Sequence, residues 1–177
     1  MHDPSPQRAS GFVQRMDFVL DTIALMLRVL TGIALVILTV IFGWLVYGRY
    51  VLNSTPTWVE QVALLLVMTI AFLGAAVGVH EHTHLSVSLF RKWVPEKVRL
   101  AMVLVSDVLL AGFGALMFWY GWQLTTFKWG SQIPLIHVPE GLRSLPLTLG
   151  GGLIMIFTLA HILRLFLGQD TRRDEIG

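Results

Sequence analysis

The stretch VLTGIALVILTVIFGWLVY, residues 29–47, contains 19 residues and no formal charge. A helix rises about 1.5 Å per residue, so this stretch covers about 28 Å, close to the thickness of a bilayer's hydrocarbon core. Lipid offers no partners for backbone amides, whereas a helix satisfies them within the segment. The stretch therefore predicts a helix that crosses a membrane.

Three further stretches of the same kind follow. Residues 61–79 carry no formal charge, residues 100–124 carry only Asp107, and residues 145–167 carry only Arg164. Together with the first stretch they predict an all-α integral membrane protein with one four-helix transmembrane domain. The predicted domain covers residues 29–167, with spans at about 29–47, 58–79, 96–124 and 145–167.

Composition excludes several classes of protein. Hydrophobic residues make up 55% of the chain and the mean hydropathy is +0.70, which is too apolar for a soluble domain of this length. Outside the spans no segment is long enough to build its own aqueous core, so we do not expect an enzyme. The basic residues cluster beside the membrane ends, which argues against nucleic acid as a partner. The absence of cysteine excludes disulfides and thiolate metal sites.

The positions of lysine and arginine predict the orientation, because cytoplasmic segments of membrane proteins carry an excess of both. With the N-terminus inside, ten of the 13 basic residues lie on the inner side. The other three, Arg49, Lys128 and Arg143, lie on the outer side. We therefore expect both termini in the cytoplasm, with residues 168–177 as a cytoplasmic tail.

The N-terminal region has two possible arrangements. Residues 1–10 are polar and contain proline, which predicts a flexible tail. Within residues 11–28, apolar residues recur every three or four positions and predict an amphipathic helix. This helix either lies in the inner membrane interface or extends the first span. Its apolar positions are Phe12, Met16, Val19, Leu20, Ile23 and Leu27.

Prolines predict where three of the helices begin. Proline suits the first turn of a helix, where its missing amide hydrogen would have no partner. Pro56, Pro95 and Pro146 therefore predict the starts of the second, third and fourth helices. Apolar residues between positions 87 and 94 predict a short interfacial turn of helix within the inner connection, residues 80–99.

Asp107 is the ionisable residue that lies deepest in a predicted span, about 10 Å beyond the inner end of its helix. An ionised carboxylate at this depth is costly unless it is paired. His161 and Arg164, on the antiparallel fourth helix, lie at similar depths, and Arg28 on the first helix is a further candidate. We expect a neutralised pair that fixes the register of the helices.

Arg49 and Glu60 flank the predicted outer turn between the first two spans. Three arrangements are open: the two side chains form an ion pair between the helix ends, remain two separately solvated charges, or contact another protein. An exposed pair contributes about 0–1 kcal/mol, so its use would be orientation rather than stability. No chain of titratable groups links them to Asp107, which argues against a proton relay or an ion pathway.

The densest titratable cluster is His80, Glu81, His82 and His84. On a helix His80 and His84 share a face, whereas His82 points away from them. No fourth ligand is evident nearby, so we interpret these residues as interfacial and expect neither a metal nor a cofactor.

Small residues in the spans indicate where helices pack closely in lipid. Gly74 and Gly78 have the required spacing of four in the second span, and Gly150 to Gly152 permit a bend or a close contact in the fourth. The predicted residues of helix packing or of a subunit interface are Trp58, Gly74, Gly78, Asp107, His161 and Arg164.

A series of short motifs runs along the chain in a fixed order. Arg49-Tyr50 follows the first span, and Pro56, Trp58 and Glu60 open the second. In this order, on four predicted spans, the motifs resemble those of the Q-type small membrane subunit, or small permease, of tripartite ATP-independent periplasmic (TRAP) transporters. The chain differs at Gln61 and Ser88, where the family often has an acidic residue. The later motifs are FLGAA at 72–76, HLSV at 84–87 and Leu145-Pro146.

The resemblance implies a division of labour between three proteins of the bacterial inner membrane and periplasm. A large membrane subunit carries the substrate and sodium sites, and a periplasmic binding protein captures the solute, an organic acid. The small subunit is a non-catalytic scaffold that stabilises the large subunit and helps to dock the binding protein. In this role Arg49, Glu60, Lys128 and Arg143 would face the binding protein.

A haem-binding membrane anchor of a respiratory enzyme is the alternative function. His161 lies within a predicted span and His80 lies near the inner end of another. Two histidines on different helices of a bundle are conceivable axial ligands of a haem. A Soret absorption band would favour this alternative.

Overall fold

The computed structural model describes residues 5–54, 56–90, 96–134 and 136–166. Each of its four helices contains a window that is long and apolar enough to cross a membrane. The predicted all-α architecture with four transmembrane helices is confirmed. The elements are α1 (Ser5–Tyr50), α2 (Trp58–Phe90), α3 (Glu96–Lys128), β1 (Gln132–Ile133), β2 (Val138–Pro139) and α4 (Gly141–Phe166).

All four helices extend beyond their predicted spans, and α1 and α2 extend furthest. Helix α1 begins at Ser5, so part of the predicted flexible tail is helical, whereas residues 1–4 lie outside the described residues. Helix α2 continues to Phe90 and takes in half of the predicted inner connection. Residues 91–95 lie outside the description. Both extensions continue an uninterrupted helix, which costs less than nucleating a new one.

Pro146 lies inside α4 and does not begin it, contrary to the prediction. The helix begins five residues earlier, at Gly141, directly after an antiparallel hairpin in which β1 pairs with β2. The hairpin is closed by a hydrogen bond of 2.7 Å from the Glu140 amide to the Ser131 carbonyl, and Ile133 is 1% exposed. Pro146 is the sixth residue of α4, so its missing amide hydrogen removes one helical hydrogen bond, that to the Leu142 carbonyl.

The amphipathic segment, residues 11–28, is continuous with the first span as part of α1. Its apolar stripe packs against other helices of this chain. Leu20 and Ala24 join one apolar cluster with residues of α2 and α4, and Met16, Ile23 and Leu27 pack beside them. The stripe therefore covers protein, which is the arrangement expected of an extended first span. The partners in the cluster are Ala76, Ile154, Phe157 and Ala160.

The helices lie side by side in the order α1, α2, α4, α3. Helix α4 packs on α3 and on α2, α2 packs on α1, and α2 touches α3 only marginally. Half of the most apolar window of α4 is buried, against 6% for α1 and 11% for α3. Helix α4 is therefore the centre of the domain, and α1 and α3 are its edges.

Glycines allow α4 to approach both of its neighbours. A Cβ atom on Gly151 would lie 2.7 Å from Met117 Cβ on α3, and one on Gly150 would lie 2.8 Å from the Phe72 carbonyl oxygen on α2. A Cβ on Gly74, in contrast, would meet nothing within 4 Å. No described neighbour therefore crowds Gly74, and its predicted role in helix packing or in a subunit interface stays a prediction. Gly78 is half-buried.

The turn between α1 and α2 is tight at its α1 end. The Ser54 amide donates to the Gly48 carbonyl at 3.1 Å, and a Cβ on Gly48 would lie 3.1 Å from Ser54 O and 3.2 Å from Pro56 Cδ. Asn53 has a φ of 48°, in the left-handed region that asparagine tolerates better than most residues. The turn makes α1 and α2 antiparallel neighbours, and α2 begins at Trp58, two residues after Pro56.

Candidate functional site

Ionisable side chains gather at the two ends of the helices and are absent between them. No Asp, Glu, Lys, Arg or His occurs in residues 29–48, 61–79, 108–127 or 144–160. The shortest of these ranges has 17 residues, which corresponds to about 25 Å of helix. We call the end that holds Asp107 and His161 the inner end, following the predicted orientation, and the opposite end the outer end.

At the inner end, Asp107 on α3 meets His161 on α4. Asp107 Oδ2 lies 2.5 Å from His161 Nδ1, and the two side chains are only 5% and 7% exposed. A buried carboxylate without a partner would be strongly destabilising. The pair therefore compensates Asp107, and His161 is one of the partners that its depth in the sequence suggested.

Three further pairs join α1 to α2 and α4. Asp17 Oδ1 lies 2.6 Å from Arg164 Nη2, and Asp21 Oδ1 lies 2.9 Å from His80 Nε2. Arg28 pairs with Glu81. The sequence did not lead us to predict Asp17 and Asp21 as ion-pair partners. The separations of four and seven residues between Asp17, Asp21 and Arg28 nevertheless place all three on one face of a helix.

The three pairs differ in how far they are shielded from water. The side chains of Asp17 and Arg164 are 20% and 10% exposed, whereas those of Arg28 and Glu81 are 60% and 43% exposed. His80 is buried and its ring centroid lies 4.7 Å from that of Phe157. Because attraction between charges is weaker in water, the Asp17–Arg164 pair is the stronger of the two ion pairs.

At the outer end, one basic residue bonds the connection between α3 and α4, and another joins α4 to α2. Lys128 Nζ donates to Glu140 Oε1 at 2.7 Å, and Arg143 Nη2 donates to Gln61 Oε1 at 2.5 Å. The hydrogen bond from Lys128 holds the pKa of Glu140 below its ordinary value. The Lys128–Glu140 pair is therefore intact above that ordinary value and is lost as the pH falls through the lowered one.

Arg49 and Glu60 lie beside the α1–α2 turn with exposed side chains. Among the residues that the structure describes, no ion pair joins them. Of the three arrangements that the sequence left open, the bridge between helix ends is therefore not formed. Of the four predicted outer contact residues, Lys128 and Arg143 are engaged within the chain, and Arg49 and Glu60 face outward.

Replacing Gln61 with glutamate is expected to stabilise the outer end by about 1 kcal/mol, because a carboxylate accepts the guanidinium hydrogen bond more strongly than an amide. Thermal unfolding of the purified chain, followed by tryptophan fluorescence, measures the gain. Glu60→Gln is the matched control, since Glu60 is exposed and its charge should matter little. A Gln61→Glu variant no more stable than the parent would contradict a close contact with Arg143.

The structure describes the side chains of His80 and Glu81 in the histidine cluster. His80 bonds Asp21, and the side chains of His82 and His84 lie outside the described residues. No three His, Cys, Asp or Glu residues with described positions converge to hold a metal ion. His80 and His161, the conceivable haem ligands, each bond a carboxylate, and nothing in the described part of the chain favours a haem.

Comparison with known proteins agrees with the motifs. The profile of a family described as tripartite ATP-independent periplasmic transporters, DctQ component, matches residues 38–168. The sialic acid TRAP transporter small permease protein SiaQ of Vibrio cholerae serotype O1 is 25% identical over 144 residues, which cover 78% of this chain and 82% of the relative. Proteins of this kind are transporter components, and with four spans this chain is a multi-pass protein of the bacterial inner membrane. Because the family profile covers most of its length, the chain belongs to the DctQ family of TRAP transporter components.

Proposed function

We propose that this chain is the small, non-catalytic scaffold subunit of a sodium-coupled TRAP transporter that imports an organic acid. It stabilises the large membrane subunit and helps to dock the periplasmic binding protein. Family membership supports the role as a transporter subunit. The relative named as part of a sialic acid transporter supports an organic acid as the solute. In this proposal the sodium and solute sites belong to the large subunit.

One observation carries the scaffold role: every span contains at least 17 consecutive residues without an ionisable side chain of the Asp, Glu, Lys, Arg or His type. A charged solute crossing this zone, about 25 Å long, would lose its water and find no charged group to replace it. Transporters place such groups near the middle of the membrane. The chain therefore suits a supporting part better than a conduit.

The wide apolar faces of the edge helices suit the same role. Only 6% of the most apolar window of α1 is buried within the chain. In lipid, helices associate through close packing rather than through a hydrophobic driving force. Such faces can contact lipid or the large subunit, and a layer of four helices beside that subunit would widen its fixed part.

The outer ends of α1 and α2 supply the proposed contact with the binding protein. Arg49 and Glu60 are exposed there. Lys128 and Arg143, to which the resemblance also assigns this contact, hold Glu140 and Gln61 instead. In the proposal Arg49 and Glu60 contact the binding protein, whereas Lys128 and Arg143 stabilise the outer surface through their bonds to Glu140 and Gln61.

Reconstitution into liposomes tests the scaffold role. With a sodium gradient, we expect solute uptake from this chain together with the large subunit and the binding protein, and none from this chain alone. Uptake by the chain alone would overturn the proposal. In the full system, Arg49→Glu should raise the binding-protein concentration needed for half-maximal uptake and leave the maximal rate unchanged, since docking and transport are separate steps.

A further inference from the structure

Helix α1 is attached to the rest of the domain mainly at its inner end. The three ion pairs that α1 makes with other described residues all lie within residues 17–28. In the same segment Leu20 and Ala24 are 5% and 3% exposed. Between Arg28 and the turn after Tyr50, the buried positions of α1 are Ala34 and Gly48.

The other three helices are joined along their whole length. At the inner end Asp107 bonds His161, and in the middle the glycines of α4 contact α3 and α2. At the outer end Arg143 bonds Gln61. Helices α2, α4 and α3 therefore form one unit, which we call the three-helix unit.

The outer end of α1 is held by a different kind of connection. The short turn after Tyr50 joins it covalently to α2, and Gly48 packs against Ser54 and Pro56 of that turn. This turn keeps the outer ends of α1 and α2 together whatever the inner end does. Helix α1 is thus joined covalently to α2 at its outer end and is held by side-chain contacts at its inner end.

Polar contacts are the specific part of this attachment at the inner end of α1. Leu20 and Ala24 add apolar contacts with α2 and α4 in the same segment, whereas the ion pairs select particular partners on those two helices. The Asp17–Arg164 pair joins α1 to α4 and is the least exposed of the three. Separating it would leave a cation and a carboxylate without partners in a mostly buried position, which is costly.

We infer that the pairs Asp17–Arg164, Asp21–His80 and Arg28–Glu81 form an inner latch that holds α1 at a fixed angle against the three-helix unit. When the latch is opened, the inner end of α1 swings away about the outer turn and the three-helix unit stays intact. The latch is thus a conformational device of the small subunit itself, and it does not depend on which solute the transporter carries.

Distance measurements between two spin labels test the latch in the full chain in lipid nanodiscs. The chain has no cysteine, so two introduced cysteines are the only labelled positions. Met26→Cys on α1 and Leu159→Cys on α4 report on the latch, since both parent side chains are exposed, at 67% and 51%. We expect a single narrow distance with the native latch and the loss of that single peak after Asp17→Asn.

Two controls make the result specific. The pair Val105→Cys on α3 and Leu159→Cys on α4 should keep its narrow distance in the Asp17→Asn background, because both labels sit on the three-helix unit. Exchanging the charges, Asp17→Arg with Arg164→Asp, should restore the single distance between α1 and α4.

Two outcomes would overturn the latch. One is an unchanged α1–α4 distance distribution after Asp17→Asn. The other is equal broadening of the α3–α4 control, since this would mean general loosening. If Asp17→Asn cannot be purified, the double variant Asp21→Asn, Arg28→Gln takes its place with the same labels, because it breaks two of the three pairs at side chains that are 69% and 60% exposed and should leave the chain folded. An unchanged distribution in that variant overturns the latch equally.

Discussion

Alanine in place of Gly151 is expected to push α4 away from α3 and to lower the free energy of unfolding by about 1–3 kcal/mol. The added Cβ atom would lie 2.7 Å from Met117 Cβ and 2.7 Å from the Phe118 backbone nitrogen. Neither atom is the free end of a flexible side chain, so the clash is relieved only when the two helices separate. Gly114, directly opposite, has its carbonyl oxygen 2.9 Å from the same point.

Gly112→Ala on α3 is the matched control for this prediction. A Cβ at Gly112 meets nothing within 4 Å, so the change keeps the packing and gains up to about 1 kcal/mol of helix propensity. Unfolding of both variants in detergent, titrated with a denaturing detergent and followed by far-UV circular dichroism, gives the two free energies. A Gly151→Ala variant as stable as Gly112→Ala would mean that α3 and α4 do not pack through this contact.

Removing the histidine partner of Asp107 is expected to have a still larger effect. His161→Ala leaves the Asp107 carboxylate buried at 3% exposure without the ring that bonds it, and leaving a buried charge without its partner costs about 3–5 kcal/mol. The double variant Asp107→Leu, His161→Leu should be less damaging than His161→Ala alone. It removes both polar groups and leaves neither of them unsatisfied.

The exposed Arg28–Glu81 pair provides the control for this prediction. Arg28→Gln breaks a pair whose side chains are 60% and 43% exposed, so it should cost at most about 1 kcal/mol. The same unfolding titration measures all the variants. If His161→Ala cost no more than Arg28→Gln, the Asp107–His161 pair would not be a buried contact.

The small subunit's family could be inferred from the sequence because its motifs are local. Arg49-Tyr50, Trp58 and Glu60 stand at span ends, where residue type and order are visible without knowing how the helices pack. The roles of individual outer residues could not be inferred in the same way. Arg143 looked free to contact a partner protein, yet Gln61, 82 positions away in the chain, takes its hydrogen bond.

At the inner end, too, the sequence indicated that a residue needs a partner but did not identify the partner. The depth of Asp107 indicated that it needs a partner, and the sequence offered His161, Arg164 and Arg28. In the structure Asp107 pairs with His161, while Arg164 forms an ion pair with Asp17. Asp17 was missed because nothing along the chain shows that the segment before the first span packs on α4.

The number of spans, their approximate positions and the bare apolar zone between the charged ends follow from the sequence by itself. Each depends on the length of an apolar run, because a helix satisfies its own backbone within one segment. The order α1, α2, α4, α3, the neighbours that Gly150 and Gly151 contact, and the choice of ion-pair partners were decided only by the tertiary structure. In a membrane the lipid-facing side of a helix is as apolar as its protein-facing side, so hydrophobic periodicity does not reveal which faces meet.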